Sequence, residues 1–441
     1  NDVFGQRYDA AGEQVGGEFR VNSSTSGNQE HPRVSALDEG FVVTWTDTSG
    51  GSHGGSGTDV FAKVFTTKNV ETPSLERDEF LVNTGTTNEQ DDPQVASLKD
   101  GGFVIIWRDS NGTNDNQSGD GIDVFGQRYD AFGLRVGDEF LVNAAADSGS
   151  QYEPSVTGLA NGDFVVTWRD DQGGSNDKSD TDATLGSGTD VRGQVFTTSS
   201  VDTPVETGGD FRINTYTSGS QYLPSVASLK DGSFVVTWRD DTAHDGGSGS
   251  DVYGQRFSAT GVEQGTEFRV NTEVSNHQNE PSVASLSDGG FVVTWQSNNQ
   301  DGSNYGIYGQ RYDAAGAKKG IEFHINLDRT YDQQYEPSVT GLANGEFVVT
   351  WWDNNAYNRT QDGFTDTSNH AVFGQNGYSP FSAECLGGSL EIELKPGSFR
   401  YEHDPWRPQQ DCGAHEDYIL DNRPCHSPRT LRWPAEDALM A

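Results

Sequence analysis

Cysteine is almost missing from this 441-residue chain: Cys385, Cys412 and Cys425 are the only three, and all lie after residue 380. The long body before them therefore depends on neither disulfides nor thiolate metal sites. Methionine is scarcer still, with Met440 alone. No initiator Met or signal peptide opens the sequence, which reads as a processed product or a fragment of a longer one. No apolar run approaches the roughly 18 residues of a membrane span, so no membrane insertion by helices is expected. Positive charge is short as well: 29 Lys and Arg stand against 67 Asp and Glu, a net charge of −38. Nucleic acid and anionic membranes would be repelled by such a surface, so neither is an expected partner. Catalytic signatures are also lacking. The nine His are scattered, and no G-x-S-x-G, H-E-x-x-H or phosphate-binding loop occurs.

What is present in quantity is glycine, 54 residues, in a chain only 32% hydrophobic. That balance suits an all-β protein with many turns, and 11% aromatic residues supply material for a core. The aromatics recur. A strand ending in Trp appears six times, at Trp45, Trp107, Trp168, Trp238, Trp295 and Trp351. Before each stands a proline-led segment such as PSVASL, separated by a pair such as Asp231-Gly232 or Asn161-Gly162 that supplies a tight hairpin. After each Trp come a polar loop, a third strand such as DVYGQRF, and a fourth such as EFRVN. The fourth strand ends at Asn22, Asn83, Asn143, Asn214, Asn271 and Asn326, and a Q-x-x-P segment follows seven or eight residues later.

Four short strands repeated six times predict a six-bladed β-propeller of four-stranded antiparallel blades. The Trp strand is apolar on nearly every residue, as a strand sandwiched between neighbouring blades must be. The chain opens inside a unit, with its third and fourth strands at 2–22, so these are expected to complete the last unit and close the ring. A seven-bladed ring, with SLEIEL (389–394) as a final strand, is the alternative. The repeat domain is taken as 1–378. Residues 379–441 form a non-repetitive extension that holds every Cys.

The strand order places two sets of loops on one face: those after the Trp strand, and the N-to-Q segments before the first strand. Loops on a rigid scaffold are where binding usually sits. Aspartates flank the first set in pairs: Asp47 with Asp59, Asp109 with Asp123, Asp170 with Asp190, and Asp240 with Asp251. Oxygen-rich loops in an acidic chain are candidates for calcium. Turn-forming Asp and Asn capping their own backbone account for the same pattern, and both readings stand at this point. In the second set, Gln151 with Tyr152, Gln221 with Tyr222, and Gln334 with Tyr335 are candidate ligand contacts, the rings offering a stacking surface for a sugar.

The combined repeat (D-V-Y-G-Q-R-F, G-x-E-F-x-V-N-T, Q-x-x-P-S-V-A, D-G-G-F-V-V-T-W) resembles repeats of very large secreted or surface proteins of bacteria that carry hemolysin-type calcium-binding regions. The resemblance covers residues 1 to about 378. It implies export, calcium in the surroundings, and adhesive or carbohydrate-binding use. The glycine-rich calcium nonapeptides of those proteins are absent. The function expected from the sequence is non-enzymatic: a secreted propeller binding glycans or a cell-surface ligand through its loop face. A structural module of a larger adhesin and a polysaccharide-active enzyme are the alternatives. Regularity weighs against the enzyme, because an active site at the axis disrupts a repeat.

Overall fold

The computed structural model describes residues 1–9, 14–50, 57–67, 74–110, 121–143, 149–171, 188–198, 202–242, 246–302, 304–326, 333–353, 371–376, 383–386 and 389–392. Among the described residues every regular element is a β-strand. The first, β1 (Phe4–Tyr8) and β2 (Gln14–Arg20), pair only with each other. The first complete sheet is β3 (Gln29–Leu37), β4 (Gly40–Asp47), β5 (Asp59–Thr66) and β6 (Ser74–Leu81), bonded antiparallel in that order. Four more four-stranded sheets repeat it. Their innermost strands are β7 (Gln90–Ser97), β11 (Gln151–Gly158), β15 (Gln221–Ser228) and β19 (Gln278–Ser285). A three-stranded sheet of β23 (Gln334–Gly341), β24 (Phe347–Asp353) and β25 (Ala371–Asn376) follows.

Each inner strand lies beside the next, β3 by β7 and so on to β19 by β23, which is the radial stacking of a β-propeller. In the five sheets that follow the first, the hairpin between the first two strands turns at a glycine in the left-handed region, Gly162 (φ 102°) and Gly232 (φ 88°) among them. Only glycine adopts such a φ without steric cost.

The core lies between sheets. Trp107 packs with Val42, Val60 and Val82 of the preceding sheet, and Trp168, Trp238 and Trp295 do the same one sheet further on. All four are fully buried. Neither face of the second strand meets water, so that strand is apolar almost throughout.

The expected closure is not formed by the described strands. β25 takes the third place in the last sheet, and β1–β2 stays a separate pair. The apolar residues Val3, Phe19 and Val21 of that pair are used against Trp45 and Phe61. β25 follows β24 in the same unit, whereas β1 lies more than 300 residues away, so the local partner costs far less loop entropy. SLEIEL does not extend the last sheet either: β27 (Ser389–Ile392) bonds to β26 (Ala383–Leu386) alone. The rest of the C-terminal extension lies outside the described residues.

Candidate active site

The six inner strands share one irregularity, and it arises from Q-x-x-P. Proline has no N–H for the ladder, and it turns the residue before it away from the helical region. The register slips between the second and fifth residues of each strand, at Glu30/Arg33, Asp91/Gln94, Tyr152/Ser155, Tyr222/Ser225, Asn279/Ser282 and Tyr335/Ser338. One extra residue is thereby accommodated as a β-bulge. Its third residue has left-handed backbone in all six cases: His31, Asp92, Glu153, Leu223, Glu280 and Glu336, with φ between 49° and 55°. None is glycine, so each carries a backbone cost of about 1 kcal/mol or more.

These six residues hold one structural position but not one chemistry. They bring carboxylates from separate units together. Glu153 reaches across to the next inner strand, where its Oε2 accepts the Leu223 N–H at 2.6 Å. Arg169 Nη1 stands 3.5 Å from its other oxygen. Burial pushes Glu153 above the usual carboxylate range, while the Leu223 N–H and Arg169 pull it back. Burial raises Asp92 too, opposed by Arg33 and His31. Glu280 is pushed up to about 7, through burial first and then repulsion from Glu336 and Glu153, with Arg239 opposing. A carboxyl group raised toward neutrality beside other carboxylates is what acid–base chemistry near neutral pH requires.

A second tier surrounds them, built from the residue after each Gln and its cross-strand partner beyond each Trp. Asp91 lies opposite Arg108, Tyr152 opposite Arg169, Tyr222 opposite Arg239, Asn279 opposite Gln296, and Tyr335 opposite Trp352. Three sheets form an alternating ladder. Arg108 is held by both oxygens of Asp91 and approaches the Tyr152 ring at 5.7 Å. Arg169 lies 4.4 Å from Tyr152 and 5.3 Å from Tyr222. Arg239 lies 5.3 Å from Tyr222 and is chelated by Asp241 at 2.8 and 3.1 Å. Guanidinium on aromatic faces with carboxylates at the ends makes a stiff wall. In the last sheet Tyr335 instead stacks on Trp352, with centroids 4.6 Å apart, and meets Tyr305 at 5.3 Å.

The residues singled out from sequence divide by place. Gln151, Gln221 and Gln334 are buried inside the strand ends rather than offered to a ligand. Gln221 accepts from Asn214 Nδ2 at 3.1 Å, Gln334 from Asn326 at 2.8 Å, and Gln151 lies against Asn143 and the Ile122 carbonyl. Tyr152 and Tyr222 are enclosed by the arginines. Tyr335 packs instead against the rings of Trp352 and Tyr305.

The aspartates do face one another across paired strands: Asp47 and Asp59, Asp109 and Asp123, Asp170 and Asp190, Asp240 and Asp251. At least one oxygen of each is engaged by a protein donor. Asp59, Asp123, Asp190 and Asp251 accept from the Asn ending the fourth strand at 2.6–2.8 Å. Gln29 and Gln90 donate to Asp47 and Asp109 at 3.4 and 3.0 Å. Asp170 pairs with Arg192 at 3.0 Å, and Asp240 accepts the Thr242 N–H at 2.7 Å. Among the described residues no three His, Cys, Asp or Glu converge as a metal site. Most of the loops between these aspartates lie outside the described residues.

No family model and no curated protein matches the chain. Solved structures similar to it include an α-L-arabinanase from Penicillium chrysogenum, 16% identical, with TM-score 0.46 over 73% of this chain and 88% of that one. An intramolecular trans-sialidase from Ruminococcus gnavus is 10% identical, with TM-score 0.47 over 75% and 91%. A protein of unknown function from Dyadobacter fermentans is 12% identical, with TM-score 0.47 over 76% and 93%. Such distant likenesses assign no substrate. The expectation of a non-enzymatic body is nonetheless corrected. An arabinanase, a trans-sialidase and a family-43 glycoside hydrolase stand among the similar structures. The regularity read as evidence against catalysis also fails where it matters, since the bulge keeps its backbone in all six units while its side chains differ. The signal was in the sequence: the third residue of Q-x-x-P reads His, Asp, Glu, Leu, Glu, Glu.

Proposed function

We propose that the chain is a carbohydrate-active enzyme that cleaves glycosidic bonds, with Glu280 as proton donor and Glu153 as its ionised partner. Glu280 carries the reading: its proton affinity sits near neutrality, and it stands on a rigid bulge beside a second carboxylate. In this scheme Glu280 gives its proton to the glycosidic oxygen as the carbon–oxygen bond breaks. Glu153, oriented by the Leu223 N–H and Arg169, supplies negative charge to the developing positive sugar. Water ends as the new hydroxyl, and its second proton restores the acid. The ring is read as six-bladed, from six inner strands with six equivalent bulges. A repeat body that needs no thiols suits an exported protein acting on glycans outside the cell.

The test is release of reducing ends from a panel of polysaccharides. Glu280→Gln and Glu153→Gln are each expected to lower kcat by about 100-fold or more, and the wild-type rate is expected to fall as pH rises through about 7. Activity that survives both substitutions would remove these residues from the chemistry.

A further inference from the structure

The two walls of the site differ in the residues they carry, and this bears on the charge of the substrate. On the wall built by β7, β11 and β15 and their partner strands, each arginine is already committed. Arg108 is gripped by Asp91, Arg239 by Asp241, and Arg169 lies between two tyrosine rings with Glu153 3.5 Å away. A carboxylate on a sugar would have to displace one of these acids while approaching Asp92 and Glu153. On the sheets begun by β19 and β23 the equivalent places hold Asn279, Gln296, Tyr335 and Trp352. They are amides and aromatic rings, accompanied by Glu280 and Glu336 at the bulges. No lysine or arginine occupies an equivalent position there. Aromatic faces suit the C–H face of a pyranose or furanose, and amides suit its hydroxyls.

We infer that the site takes uncharged glycans and rejects acidic ones, with a sugar ring seated against the Tyr335–Trp352 pair and its glycosidic oxygen toward Glu280. This rests on the reading of Glu280 and Glu153 as the acid–base pair and adds the class of substrate. The carboxyl groups gathered at the bulges disfavour a further negative charge nearby, so acidic oligosaccharides are expected to bind at least about 100-fold more weakly than neutral ones of the same length.

The experiment is calorimetric titration of the full chain and its Glu280→Gln variant. The titrants are neutral arabino-, xylo-, gluco- and galacto-oligosaccharides, with oligogalacturonides and sialyllactose as acidic counterparts. Supporting results are binding of at least one neutral series, no measurable binding of the acidic ones, and a loss of about tenfold or more in Trp352→Ala that Trp352→Phe largely restores. Acidic sugars binding as tightly as neutral ones, neutral binding indifferent to Trp352→Ala, or no binding of either class would overturn the inference. The two readings separate cleanly. Neutral binding through Trp352 without any cleavage defeats the proposed activity and leaves this inference standing. Glu280-dependent cleavage of an acidic glycan does the reverse.

Discussion

At the scale of single residues, the Asn that ends each fourth strand shows how a repeat solves one local problem six times. Its side-chain oxygen accepts the backbone N–H of Val3, Val60, Val124, Val191, Val252 and Ile307 at 2.6–2.9 Å. Its amide nitrogen serves the neighbouring aspartate in the units that have one. An Asp buried at the mouth of a strand pair thus has an N–H aimed at it. Asn271→Ala would strip Asp251 of a 2.6 Å donor and leave the Val252 N–H without its acceptor. We expect a loss of about 1–3 kcal/mol in urea unfolding, with the far-ultraviolet spectrum unchanged. No loss of stability would mean that water takes over both roles.

At the scale of the strand, the pairing of glycine with phenylalanine explains why G-Q-R and E-F recur together. A Cβ on Gly126, Gly254 or Gly309 would stand 2.5–2.9 Å from the ring of Phe140, Phe268 or Phe323 on the adjacent strand. The ring fills the space the glycine leaves and covers its backbone. The Trp strand answers the opposite need, filling the space between sheets. Trp238 is fully buried among Leu159, Val165, Val191 and Ile213 of the preceding sheet. Trp238→Ala is expected to cost about 3–5 kcal/mol, through lost burial plus the cavity left behind. Trp238→Phe should cost clearly less. Equal effects of the two changes on the unfolding midpoint would show that the site collapses around either residue.

At the scale of the whole molecule, stability should depend on pH through the same groups that make the site. Glu280 keeps its proton up to about pH 7 when folded, against an ordinary 4.5 when unfolded. Between those values the folded chain binds more protons, so stability falls as pH rises from about 4.5 to about 7, by at most about 3 kcal/mol from this group. Glu139 and Glu153, also raised by burial, act in the same direction. His324, lowered by burial, acts against them below its ordinary 6.5, where the unfolded chain takes up the proton first. Urea midpoints measured from pH 4 to pH 8 should therefore decline through this window, and Glu280→Gln should flatten the decline. A midpoint rising with pH in the wild type would show that Glu280 is ionised throughout.

The four-stranded unit, its strand order, its hairpins and the burial of its tryptophans were all legible along the chain. They depend on interactions within about 70 residues and on periodicities that sequence displays directly. The axial carboxylates were not legible as a site, although each sits in a visible motif. Glu153 and Glu280 are 127 positions apart, and only the stacking of inner strands brings them within each other's field. The same distinction separates the tyrosines. Tyr152, Tyr222 and Tyr335 share one motif, yet the residue beyond the neighbouring Trp decides whether the ring is clamped by arginine or stacked on Trp352. Closure of the ring was also beyond the sequence, because β25 competes with β1 for one place beside β24, and two strands of nearly the same composition do not show which one takes it. Local chemistry thus belongs to the sequence, while proton affinity and access belong to neighbours that the fold alone supplies.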